Sequence, residues 1–152
     1  MTRRVTRGFD PAALRQAREE HPSPALRRRA EVARLSGIGV ATLQHWENGT
    51  KSPTVDLLQR VAEVLGVSVE TLVPIPRDRR TLRDWRVLRG LLQPHLAQRA
   101  GISNATLGRI EQGETALTPA NAERLSVALD IPVAEVRACY ERARNRPPGE
   151  PA

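Results

Sequence analysis

The chain has 152 residues, of which 39% are hydrophobic and only 3% aromatic, so small aliphatic helical cores are expected and a large aromatic-lined pocket is not. Twenty-four Lys and Arg against 17 Asp and Glu leave a formal charge of +7, which points to a polyanionic partner with phosphate first. The single cysteine, Cys139, excludes an intrachain disulfide and a cysteine-based zinc site, no apolar run is long enough to span a bilayer, and the start MTRRVTRGFD lacks a signal peptide's apolar core, so a cytoplasmic protein is expected.

In chain order, residues 1–8 read as a flexible arm carrying Arg3, Arg4 and Arg7. Asp10 and Pro11 read as the N-cap and first position of a helix ending near Glu20. HPSP at 21–24 cannot continue it, because each proline lacks an amide donor. The next stretch, ALRRRAEVARLSGIGVATLQHWENG, holds two short helices around a bend at Gly37. Thr54 is expected to cap a helix near Val55, with Leu57, Leu58, Val61, Val64 and Leu65 as its apolar stripe and Gly66 as its left-handed terminator. A short helix follows from Ser68 to Val73. PIPRDRR at 74–80 reads as a proline-stiffened linker.

From Thr81 the text repeats. A helix to about Arg89 turns Leu82, Trp85 and Leu88 inward. Gln93 to Ala100 forms the next helix, Gly101 the bend, and Ser103 caps a third from Asn104 to about Gln112. Apolar Leu96, Ala97, Ile102, Leu107 and Ile110 fall where two crossing helices touch. This is the pattern of a helix-turn-helix, whose second helix enters the DNA major groove. Shifting the first half by 64 positions lays Ala33 to Gly49 on Ala97 to Gly113 with eight identities in 17 positions, so the chain holds two copies of one helical unit. Thr118 and Pro119 open the fourth helix of the second copy. Asp130 stands at the position of Gly66, a helix from Val133 to about Arg144 comes last, and residues 145–152 read as a flexible tail.

The motifs Gln93, AGIS at 100–103, ATLGRIEQG at 105–113 and LTPANAERLSVALDI resemble the Cro/phage-repressor (XRE) type of helix-turn-helix protein over about Leu82 to Val136, and Phe9 to Val73 resemble it more loosely. The resemblance implies an all-α fold of two tandem five-helix, lambda-repressor-like domains at 9–73 and 81–144. It also implies sequence-specific binding of double-stranded DNA by a bacterial or phage transcriptional regulator, with repression as the expected sense and the nucleoid as its place when bound.

The polar or small residues off the core face of the second recognition helix are Asn104, Ala105, Thr106, Gly108 and Arg109. Asn suits an adenine edge and Arg a guanine edge. Their first-unit counterparts are Val40, Ala41, Thr42, Gln44 and His45, of which Val40 and Ala41 suit a thymine methyl. The resemblance assigns phosphate contact to Gln93 and, in its place in the first unit, to Arg29. Arg28, Lys51, Arg99 and the cap Ser103 are supporting candidates. Glu47 and Glu111 are expected to bond the backbone or an Arg within their own domain.

Trp46 and Trp85 lie on apolar faces and are expected in the core. His45 and His95 have no metal-ligand spacing, and no nucleophile–base set or phosphate-binding glycine loop occurs, so neither a metal, a cofactor nor catalysis is expected. Arg29 and Gly39 depart from the family pattern, where Gln and a capping Ser or Thr are usual. A second reading therefore stays open, in which one unit binds DNA and the other a protein partner, as in an antitoxin or corepressor. A homodimer stays open as well.

Overall fold

The computed structural model describes Arg4, Val5 and residues 7–152; Arg3, part of the expected arm, lies outside the described residues. The chain divides into two compact units, Met1–Pro74 and Ile75–Ala152. Among the described residues the regular structure is helical, with an isolated antiparallel bridge between Arg4 and Thr54.

In the first unit α1 (Pro11–Glu19) starts where Asp10 accepts the amides of Ala12 and Ala13. The prolines that end it leave a 3₁₀ turn at Pro24–Arg27. Helices α2 (Arg29–Ser36) and α3 (Val40–Asn48) follow, then α4 (Val55–Leu65) and a short α5 (Val69–Leu72). Leu14, Val32, Leu43, Trp46, Leu58, Val61, Leu65 and Leu72 close the core. The second unit repeats this as α6 (Leu82–Leu88), α7 (Gln93–Ala100), α8 (Asn104–Gln112), α9 (Pro119–Leu129) and α10 (Val133–Arg144). Its core is Leu82, Trp85, Leu96, Leu107, Ile110, Leu125, Leu129 and Val136.

Both bends between the paired helices are left-handed glycines, Gly37 at φ 71° and Gly101 at φ 71°, where a side chain would be strained. Asp130 adopts the same conformation at φ 54°. There the Arg89 guanidinium donates to the carbonyls of Leu129 and Asp130, placing a cation on the C-terminus of α9.

Several expectations differ in detail. Thr54 occupies the N-cap position, but its hydroxyl makes no capping bond; its backbone is drawn instead into the bridge with Arg4. Nor does the described part of the basic arm hang loose: Val5 is buried and its amide donates to the carbonyl of Pro53. Residues 75–80, read as a linker, pack on the second unit. Ile75 and Arg80 are buried, and the guanidiniums of Arg77 and Arg80 lie 5.4 and 4.5 Å from the Trp85 ring centre. The 145–152 segment folds back as well, with Arg146 donating to the carbonyls of Gln112 and Ala143. In these last two segments composition suggested solvent, and the cations found carbonyl or ring partners.

Candidate nucleic-acid interface

The two recognition helices are set by one buried network, built twice. In the second unit Glu111 is buried on the inner face of α8. Arg86, from α6, donates to its Oε2 at 2.8 Å, and Gln93, opening α7, donates to its Oε1 at 2.8 Å. Arg86 also donates to the carbonyl of Leu91. The first helix, the pair and the loop between them are thereby pinned to one carboxylate.

In the first unit Arg18 grips Glu47 with two bonds of 2.7 Å and donates to the carbonyl of Arg27, while Arg29 donates to Glu47 at 3.2 Å. The hydrogen bonds to Glu47 hold the Arg18 guanidinium charged, raising its pKa. Glu47 and Glu111 thus bond an Arg of their own unit, as expected. Arg18 and Arg86 themselves were missed. They are 68 positions apart rather than 64, because the first unit's loop is four residues longer, and a fixed-offset comparison slides past them. A second comparison confined to the first helices finds the pair.

On α8, 100° steps place Ala105 and Arg109 at the middle of the outward face, Asn104 and Gly108 on one flank and Thr106 on the other. Asn104, Ala105 and Arg109 are exposed accordingly, and Thr106 is partly covered. Ser103 caps the helix, accepting the amide of Thr106 and donating to its hydroxyl at 2.8 Å. Thr106 is therefore committed in part to the cap. A β-carbon on Gly108 would lie 3.5 Å from the Gln93 amide nitrogen, an ordinary contact.

On α3 the exposed positions are Val40, Ala41 and Gln44, with Thr42 and His45 partly covered. Val40 is 46% exposed. His45 turns toward the end of its own helix, its Nδ1 lying 2.8 Å from the Thr50 hydroxyl. Gly39 stands where Ser103 does and offers no side chain to the helix.

The supporting cations Arg28, Lys51 and Arg99 are all exposed, at the start of α2, in the turn after α3 and on the last turn of α7. Gln93 and Arg29 occupy matching first positions of α7 and α2, and each has donors beyond the one spent on its glutamate. Each helix pair thus presents an exposed face of small and polar side chains, with apolar Val40 added in the first unit, flanked by N–H donors.

No group of three His, Cys, Asp or Glu side chains able to hold a metal occurs among the described residues, and none of their helices is long and apolar enough to cross a membrane. Cys139 is buried, and burial pushes its thiol up to about 12.

Among solved structures, the restriction-modification controller protein C.AhdI from Aeromonas hydrophila is similar at 32% identity, over 40% of this chain and 91% of that one, with a TM-score of 0.36. No curated protein matches. The helix-turn-helix family profile matches twice, at residues 14–72 and 82–136, which together span most of the chain. With each recognition helix set by an equivalent buried carboxylate, the chain belongs to the XRE-type helix-turn-helix family of DNA-binding regulators, in two tandem copies.

Proposed function

We propose that the chain is a transcriptional repressor that reads duplex DNA with both helix-turn-helix units, so that one molecule occupies two half-sites of different sequence. The observation that carries this reading is the pairing of a shared scaffold with unlike faces. Glu47 and Glu111 hold α3 and α8 in the same way, while Val40, Ala41 and Gln44 stand against Asn104, Ala105 and Gly108. Arg109 and Asn104 are the sequence-reading residues of the second unit, for guanine and adenine edges. Val40 and Ala41 form an apolar face for a thymine methyl, and Gln44 supplies an amide. Gln93, Arg29, Arg28, Lys51, Arg99 and the Ser103 cap anchor the phosphates.

The test is a panel of single-base variants of a bound site at fixed salt. Arg109→Ala is expected to lose about 1–3 kcal/mol concentrated at one base pair, and Asn104→Ala to relax preference at a neighbouring position. Gln93→Ala is expected to weaken all variants alike. Equal weakening of every variant by Arg109→Ala would make Arg109 an anchor and overturn the assignment.

A second reading draws on the exposed Val40 and Leu35 and the side-chain-free cap at Gly39: the first unit binds a protein instead. The charge argues for the first reading. Residues 1–74 hold 11 basic and 8 acidic side chains and residues 75–152 hold 13 and 9, so both units are net basic.

A further inference from the structure

Arg83 precedes Arg86 by three residues on α6, so the two side chains share a face of the helix. Arg86 is engaged by Glu111 and by the carbonyl of Leu91. Arg83 is half-buried, yet among the described residues no hydrogen bond or ion pair reaches its guanidinium. The opposite charges that act on it are Glu111 and Asp84. Glu111 is already held by Arg86 and Gln93, and Asp84 closes the capping box with Thr81.

Burial, and after it the charge of Arg86, pulls the Arg83 pKa down. A partly desolvated cation facing another cation costs stability unless an anion joins it. The first unit makes the contrast. Arg15, at the equivalent place on α1, is exposed, and there the cation beside the buried glutamate is Arg29, where the second unit has neutral Gln93. Around each core carboxylate one positive charge is therefore left over: Arg29 in the first unit and Arg83 in the second.

We propose that Arg83 is a phosphate ligand for the DNA backbone, supplying a positive charge that neutral Gln93 lacks. The proposal rests on the reading of the second unit as a DNA binder. It assigns to α6, the helix before the helix-turn-helix, a contact that places the recognition helix without reading sequence.

The experiment uses the full chain, with random-sequence duplex DNA as the probe, and measures affinity across a salt series. Arg83→Gln is expected to reduce the slope of log K against log salt by about 0.9, the release expected for one phosphate contact. It should weaken all sequences equally and leave the melting temperature no lower, because a desolvated charge has gone. Arg83→Lys is expected to keep the slope. An unchanged slope and affinity in Arg83→Gln, with the parent chain binding normally, would overturn the Arg83 assignment alone. Affinity loss that merely tracks a lowered melting temperature would do the same, by making Arg83 structural. A parent chain that does not bind duplex overturns the functional reading and this assignment together. Free phosphate is separated by replacing chloride with inorganic phosphate at equal ionic strength. The difference between parent and variant is expected to persist; its disappearance would make the site one for free phosphate and overturn the backbone assignment.

Discussion

At the scale of single residues, the buried glutamates matter most to the interface, although neither reaches it. Glu111 is the shared acceptor of Arg86 and Gln93, so its removal leaves Arg86 buried without a counter-charge. Breaking a buried pair from one side costs about 3–5 kcal/mol. Glu111→Ala is therefore expected to lower unfolding free energy by that order, read by denaturant titration. Loss of less than about 1 kcal/mol would mean that the network contributes little.

Cys139 gives a pH signature. Its thiol is raised in the fold to about 12, from an ordinary value of 9.0, because burial disfavours the thiolate and Glu135 adds to the effect. The native state then keeps a proton that the unfolded chain releases. This contribution is complete below pH 9 and is lost as pH rises toward 12. Stability is expected to fall across that window, and less steeply in Cys139→Ala. Equal slopes would place the alkaline loss elsewhere.

At the scale of the helices, the two copies end their recognition helices differently. Gly49 and Gly113 are both left-handed, at φ 74° and 73°. A β-carbon on Gly49 would meet Pro11 at 3.4 Å, an ordinary contact, whereas one on Gly113 would lie 2.7 Å from the Arg144 α-carbon. Gly49→Ala should cost about 1–2 kcal/mol, from the backbone conformation alone. Gly113→Ala should cost more, because backbone of α10 has to move. Thermal melts of the two variants check this, and equal losses would contradict the packing at Gly113.

This level is also where the sequence spoke most clearly. The paired helices, their glycine bends and the Ser103 cap follow from local chemistry, so α7 and α8 begin and end where Gln93, Gly101 and Ser103 predict. What stayed hidden depends on distant partners. Nothing near Arg80 announces that it will lie over Trp85, and nothing in the proline-rich end announces that Arg146 will reach Gln112. Arg18 and Arg86 were masked by the four extra residues of the first loop. The outward faces of α3 and α8 were legible from the 3.6-residue period, but not the local use of Thr106 and His45 in their own helix ends.

At the scale of the whole chain, the proposed function puts two reading heads with unlike faces on one polypeptide. Both units are basic, so duplex binding should weaken steeply between low and moderate salt as counterions are released. A flat response would argue against DNA as the main ligand. The most direct measurement of the central claim is selection of bound duplexes from a random pool by the full chain. The account predicts recovered sites with two half-sites of different sequence, set at one helical turn or a multiple of it. Replacing Val40 and Gln44 should erase the information in one half-site, and replacing Asn104 and Arg109 that in the other. Recovery of a single half-site, unchanged when Val40 and Gln44 are replaced, would contradict the two-headed account.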